Sequence, residues 1–295
     1  MSDDPPRTVG AALRMARQSG MERLDAQWLL SAALDRPRAW LLAHPEAPLD
    51  TNLAMTWKGW LARHAGGEPL AYLLGWSEFF GLRLEVGPAV LIPRPDTEVL
   101  VRWGLELLAR CPGPASVLDL GTGSGAIALA LKHHTSSARV SAVDASAPAL
   151  AVAQENGRRL GLEVTWLNGD WWCASARHGP FDLVVSNPPY IEEGDPHLAA
   201  LRHEPLSALT AGPEGLDDLR RIVEGAPAHL APGGWLLLEH GWNQHESVAR
   251  LLTKTGFVRV ETRPDLGGRP RCTGGIWRAG AGTVPAHDAH REHRQ

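Results

Sequence analysis

Two hydrophobic rhythms divide this chain. From about Val9 to His64 apolar residues recur every three or four positions, as at Ala12, Met15 and Ala16 and again at Leu24, Trp28, Leu29 and Ala32, with Pro37, Pro45 and Pro48 as breaks. That spacing predicts short helices packed as a small bundle. From Ser116 onward the rhythm changes to short apolar runs separated by helical patterns. Residues 116–120, 139–143, 181–186 and 235–240 read as strands, and a helix starts at Ala126. Such alternation predicts a doubly wound α/β domain whose ligands bind at the C-terminal ends of parallel strands. Residues 257–262 and 272–278 read as a closing antiparallel pair. Between the two regions, residues 68–82 combine aromatics with glycines and predict a hairpin linker, and 83–86 alternate as a strand. The proline-rich loop 91–98 leads into a helix over 99–110, with Asp96 or Thr97 as its N-cap.

Candidate chemistry gathers at two strand ends. The first strand runs from Asp119-Leu120 into Gly121-Thr122-Gly123-Ser124-Gly125, a D-x-G-x-G-x-G pattern. Glycines placed there let the backbone turn tightly and approach a ligand without interference from Cβ. The next strand ends in Asp144, where a carboxylate can take both hydroxyls of a ribose. Strand, glycine turn, helix, strand and acid in this order point to S-adenosylmethionine, whose sulfonium carries a transferable methyl. The second strand end is Asn187-Pro188-Pro189-Tyr190. An Asn oxygen and a neighbouring backbone carbonyl can accept both hydrogens of one planar NH2 group, and a Tyr ring can pack on its plane. The bland alternative is an Asn-Pro turn that closes a strand. Asp144 has a similar alternative as a turn cap, and Trp171 as a core aromatic; Trp172 reads as packing. Arg94 and Glu98 read as an ion pair bracing the proline-rich loop, and His197 and His203 as surface or packing residues.

Composition narrows the classes. At 295 residues the chain has room for one large domain and a small one. No apolar run approaches the length of a membrane span, and the start Met1-Ser2-Asp3-Asp4 lacks the order of a signal peptide, so a cytoplasmic protein is expected. Cys111, Cys173 and Cys272 lie far apart, which supports neither a disulfide framework nor a zinc site. A formal charge of −4 argues against binding nucleic acid mainly through its phosphates. Beyond Gly280 the chain reads as a disordered tail; its His287, His290 and His293 are spaced for a metal on a helix, or belong to a solvated tail.

The motifs together resemble one family, the HemK/PrmC glutamine methyltransferases, over about residues 8 to 278. The marks are Glu68-Pro69-Leu70-Ala71-Tyr72-Leu73, Leu91-Ile92-Pro93-Arg94-Pro95-Asp96-Thr97-Glu98, the glycine turn, Asn187-Pro188-Pro189-Tyr190-Ile191, Asp195-Pro196-His197, Glu204-Pro205-Leu206 and Leu238-Glu239-His240-Gly241. Asn-Pro-Pro-Tyr alone also fits DNA adenine methyltransferases; the 92–98 loop narrows the resemblance. It implies an α/β class I S-adenosylmethionine-dependent methyltransferase with a Rossmann-like seven-stranded sheet and a small N-terminal helical bundle. Residues 1–80 are then a substrate-docking domain with its hairpin linker, 81–279 the catalytic domain and 280–295 a tail. The implied reaction methylates the side-chain amide of the glutamine in the Gly-Gly-Gln loop of class-one peptide chain release factors.

Carried over residue by residue, the resemblance implies that Gly121, Thr122, Gly123, Ser124 and Gly125 wrap the methionine end of the cofactor. Asp144 would hold its ribose, and Trp171, beside Asp170, would pack against the adenine. Asn187 would contact cofactor and substrate. Pro188, Pro189 and Tyr190 would complete the glutamine pocket, with Asn187, Pro188 and Tyr190 as the catalytic set. The expected enzyme is a monomer that requires no metal, membrane or direct nucleic-acid contact. The segment between His197 and Glu204 departs from the family pattern, which leaves the role of Glu204 open. A ribosomal-protein glutamine, a base amino group and an inactive translation-factor adaptor remain alternative readings.

Overall fold

The computed structural model describes residues 4–175 and 178–278. The expected tail with its three histidines lies outside the described residues. Five helices form the N-terminal bundle: α1 (Val9–Gln18), α2 (Arg23–Leu34), α3 (Arg38–Ala43), α4 (Thr51–Ala65) and α5 (Leu70–Leu74). Thr8 caps α1 by accepting from the Ala11 amide, and Asp50 caps α4 by accepting from Leu53, so side-chain oxygens satisfy amides the helix leaves unpaired. Leu29, Leu30, Leu41 and Trp57 fill the core, and the buried Trp57 Nε1 donates to the Ala12 carbonyl at 3.1 Å. The three-and-four spacing thus closes on one small apolar cluster.

The linker is part helix and part hairpin. Residues 70–74 form α5, which Gly75 ends in a left-handed conformation at φ +77°. β1 (Trp76–Phe79) and β2 (Leu82–Glu85) then pair antiparallel across Phe80 and Gly81, both at positive φ, the twist a tight hairpin favours. Phe79, Leu82 and Leu84 are buried with Trp103 and Val117 of the large domain. The hairpin therefore crosses position 80 and shares the second core.

A single-turn helix over Pro95–Thr97 precedes α6 (Glu98–Leu108). Neither Asp96 nor Thr97 caps it through a side chain; Asp96 pairs with Arg271 at 3.2 Å and the Thr97 hydroxyl is engaged by Asn187. Thr97 thus holds the expected N-cap position of α6, with its hydroxyl turned to Asn187 instead of to the helix amides. Then follow β3 (Ser116–Leu120), α7 (Ala126–His134), β4 (Arg139–Asp144), α8 (Ala147–Leu160), β5 (Thr165–Asn168), β6 (Phe181–Ser186), α9 (Asp217–Gly225), β7 (Leu230–Glu239), α10 (His245–Thr255), β8 (Phe257–Pro264) and β9 (Pro270–Trp277). The seven-stranded sheet has the order β5-β4-β3-β6-β7-β9-β8. All neighbours from β5 to β7 are parallel, and β9 lies antiparallel between β7 and β8.

Every residue of β3 is buried, as a central strand covered on both faces must be. The chain leaves β3 towards β4 and β5, then returns to β6 on the other side. The crevice between the ends of β3 and β6 is the switch point where doubly wound sheets bind ligands. Closure by β9 depends on Gly274, because a Cβ there would lie 2.7 Å from the Leu236 carbonyl oxygen and 2.4 Å from Leu237 Cδ2. Gly274→Ala is expected to cost about 1–3 kcal/mol by overpacking, read as a lowered urea midpoint.

Candidate active site

At the end of β3, Gly121 and Gly123 take positive φ values of 71° and 57°, and Gly125, at 84°, starts α7. The turn forms one wall of a cavity of about 300 Å³. Gly121, Thr122, Gly123, Ser124, Asp144, Trp171, Asn187 and Pro189 line it, as do Arg94 and Thr97. The structure thus brings together most of the residues singled out by sequence. Gly125, Pro188 and Tyr190 stand behind the lining: Gly125 packs close to Leu129 and Ala153, and Tyr190 lies against the apolar core beneath the sheet end.

Asp144 binds the turn directly. Its Oδ2 accepts from the Gly123 amide and its Oδ1 from the Ser146 amide, both at 2.8 Å. Burial pushes its pKa up and these two hydrogen bonds oppose the shift. A carboxylate used as a tie can still accept at its remaining lone-pair sites. Below the turn, the fully buried Asp119 accepts from the Thr122 hydroxyl at 2.7 Å and the Ala128 amide at 3.2 Å, while its Oδ1 has no partner. Burial raises its pKa to about 7.

Trp171 adopts φ +42°, an uncommon conformation for a bulky residue. Its Nε1 donates to Asp218 Oδ1 at 3.2 Å, and its ring lies where a Cβ on Gly121 would meet it at 3.2 Å. Asp218, from α9, is the partner that sequence reasoning missed. Neighbouring Asp170 pairs with Arg221 of the same helix. Trp172 instead stacks on His229 with centroids 4.6 Å apart, as a packing residue.

Asn187 Nδ2 donates to Thr97 Oγ1 at 3.2 Å. Among the described residues, no hydrogen bond reaches Asn187 Oδ1 or the Pro188 carbonyl. The Tyr190 hydroxyl donates to Glu239 Oε1 at 3.4 Å. The proline-rich loop that carries Thr97 is held by Glu204, whose carboxylate accepts from the Ile92 amide at 3.0 Å and pairs with Arg94. The expected Arg94–Glu98 pair is therefore corrected. Glu98 lies inside α6 and bonds Arg102 one turn on, while Arg94 precedes the helix and faces the 196–204 segment. His203 Nε2 and Arg202 of that segment meet the Gly66 carbonyl of the N-terminal bundle.

The residues fit S-adenosylmethionine: a glycine turn with open backbone, a carboxylate at the tip of β4, and the apolar faces of Val143, Ile127 and Trp171. Fold and site together define a class I S-adenosylmethionine-dependent methyltransferase. Two family models match, one described as PrmC N-terminal domain over residues 9–75 and one as methyltransferase small domain over 104–204. A release factor glutamine methyltransferase of Bordetella pertussis is 49% identical over 87% of this chain and 95% of that protein, and one of Xylella fastidiosa is 47% identical over 90% and 96%. The chain belongs to the release factor glutamine methyltransferase family. A 16S rRNA N2 G1207 methyltransferase of Thermus thermophilus, solved with AdoMet and guanosine, shares the fold at TM-score 0.52 and 22% identity, over 69% of this chain and 50% of that one.

Asp119 gives stability a definite pH slope. A carboxyl whose folded pKa is raised keeps its proton longer in the folded chain, so its contribution is full below about pH 4 and is lost as pH rises to about 7. Asp119→Asn is expected to reduce the loss of stability between pH 5 and pH 8 by about 2–3 kcal/mol, measured by urea unfolding at both pH values.

Proposed function

We infer that this chain transfers a methyl group from S-adenosylmethionine to the side-chain amide nitrogen of the glutamine in the Gly-Gly-Gln motif of class-one peptide chain release factors. The observation that carries this reading is the orientation of Asn187, a lining residue of the cavity: Nδ2 is spent on Thr97, and Oδ1 and the carbonyl of the next residue, Pro188, are left as two unused acceptors. Two acceptors suit the two hydrogens of a primary amide. The names of the relatives support a release-factor glutamine as the owner of that amide.

When bound, the cofactor supplies a methyl group on a positively charged sulfur. Gly121 to Gly125 and Asp144 would hold it, with Trp171 against its flat ring. An amide nitrogen is a poor nucleophile because its lone pair is delocalised into the carbonyl. Asn187 Oδ1 and the Pro188 carbonyl would fix the NH2 group through both hydrogens and stabilise the positive charge that develops on nitrogen. Holding the amide in one orientation removes much of the entropic barrier. No strong base is needed, since the methylated nitrogen loses its proton readily. Tyr190 would support the turn from below, through Glu239, and Pro189 would wall the pocket. The N-terminal bundle, matched by the PrmC N-terminal domain model over residues 9–75, would dock the protein substrate.

The test is transfer of labelled methyl to a purified class-one release factor, beside a Gln→Ala variant of its Gly-Gly-Gln loop, a ribosomal-protein fraction and DNA. Label confined to the wild-type factor is expected; label on ribosomal protein or DNA, or on nothing, would favour one of the other readings. Asn187→Ala is expected to lower kcat by about 100-fold or more with the thermal midpoint nearly unchanged. Asp144→Ala should chiefly weaken cofactor binding, by about tenfold or more, as measured by calorimetry.

A further inference from the structure

The Trp171 end of the cavity holds a carboxylate with one oxygen to spare. Asp218, the second residue of α9, lines the cavity beside Trp171, and its side chain is 20% exposed. Both of its side-chain contacts fall on one atom: Oδ1 accepts from Trp171 Nε1 at 3.2 Å and stands 3.6 Å from Arg221 Nη1. Among the described residues, neither a hydrogen bond nor an ion pair reaches Oδ2. Asp170, the other carboxylate at this end of the cavity, is already paired with Arg221.

The helix that carries Asp218 is pinned along its length. Leu219, Ile222 and Val223 are fully buried on its inner face. Just before it, Gly215 takes φ +64° and lies so close to the acceptor turn that a Cβ would meet the Tyr190 carbonyl oxygen at 2.2 Å. Gln244 Nε2 joins the two, donating to the Tyr190 carbonyl at 3.0 Å and to the Gly215 carbonyl at 3.3 Å. At the far end of α9, a Cβ on Gly225 would meet Trp172 Cδ1 at 2.2 Å. The acceptor turn therefore fixes one end of the helix, and the residue after Trp171 fixes the other.

The two oxygens of a carboxylate accept independently. With Oδ1 on the edge of the indole, Oδ2 is left for the edge of a ring stacked on that indole. Adenine carries an exocyclic NH2 on its edge, a donor. Hypoxanthine has the same outline but carries a carbonyl oxygen there. A carboxylate oxygen accepts from the first and repels the second, which brings no proton to share.

We propose that Asp218 is a specificity-determining residue for the cofactor: it holds the Trp171 indole with Oδ1 and accepts from the adenine amino group with Oδ2. This rests on the seat inferred above for the flat ring against Trp171. The bland alternative is that Asp218 only steadies the indole. The two differ in what Asp218→Asn does. An Asn must keep its oxygen on Trp171 Nε1, which puts an NH2 where Oδ2 stood. Steadying survives that change, and the preference for an amino group does not.

Binding of S-adenosylhomocysteine and S-inosylhomocysteine, which lack the transferable methyl, is measured by calorimetry on the full chain in wild-type, Asp218→Asn, Asp218→Ala and Asp170→Asn forms. The Trp171 indole N–H is followed by NMR and assigned with Trp171→Phe. The wild type is expected to bind the adenine ligand about 10- to 100-fold more tightly. Asp218→Asn should cut that preference to about threefold or less, with the indole signal of the free protein unmoved. Asp218→Ala should lose the preference and shift the indole signal as well. Asp170→Asn should retain the preference to within about threefold. No preference in the wild type, or full preference in Asp218→Asn, would overturn the inference, as would loss of preference in Asp170→Asn alone. An indole signal that S-adenosylhomocysteine leaves unmoved would overturn the seat against Trp171 and the inference with it. None of these readouts depends on methyl transfer, so failure to label release factor would count against the proposed function alone.

Discussion

Leu120 and Ser186 are register partners in the parallel strands β3 and β6, and the Ser186 hydroxyl donates to the Leu120 carbonyl at 2.7 Å with both groups buried. One residue further along each strand, the chain becomes chemistry: Gly121 opens the glycine turn and Asn187 opens the Asn-Pro-Pro-Tyr turn. This single tie fixes the separation of the two turns at the point where the strands would otherwise diverge. Parallel neighbours splay from each other because sheets twist, and at a switch point no helix crosses directly between them. A hydrogen bond from the last residue of one strand to the last carbonyl of the other holds the mouth at a set width. The glycine turn and the Asn-Pro-Pro-Tyr turn are thereby held relative to each other, as the orientation proposed for the amide would require.

From that tie outward, the site is assembled by long-range contacts, and this divides what was legible in the sequence from what was not. Strand, glycine turn, helix and Asp144 were legible because each is a local signal and their order is enforced by the sheet. Asn187 was legible because its turn chemistry is compact. Thr97 read only as a cap: nothing near it in the chain announces a partner 90 residues away. Glu204 was left without a role for the same reason, since it meets Ile92 across 112 residues. The expected Arg94–Glu98 pair followed helical spacing, but the single-turn helix over Pro95–Thr97 holds Arg94 outside α6, where Glu204 competes for it. Glu239 did leave a trace, as a carboxylate ending the apolar run Leu236-Leu237-Leu238 of a central strand. A charge in that position is costly unless it is used.

Three carboxylates sit in or beneath this cleft, and each has its pKa raised chiefly by burial. Buried carboxylates weaken a fold, so their concentration at one end of the sheet is informative. Asp144 ties the glycine turn by its two backbone bonds, and Asp119 ties Thr122 and the first turn of α7. Both spend charge on holding backbone in place. The left-handed backbone of Trp171 and the close approach of its ring to Gly121 belong with them, because the indole is held by Asp218 of α9. The cleft is thus preorganised by buried polar groups that are individually unfavourable, with Asp119 Oδ1 and Glu239 Oε2 left without a partner.

Preorganisation by acceptors also accounts for what the cleft leaves out. Its lining has no histidine, lysine or free cysteine at the Asn187 end, yet a protein amide must be made to react. A base strong enough to deprotonate an amide could not exist in that state at neutral pH. Acceptors cost nothing to maintain and act when positive charge develops on the nitrogen they hold. Their weakness is that an amide acceptor is indistinguishable in shape from its own flipped form, so direction has to be imposed from outside. In this cleft the Thr97 hydroxyl takes Asn187 Nδ2 at 3.2 Å, so the proline-rich loop before α6, not a neighbour in the turn itself, supplies the contact that leaves Oδ1 unspent.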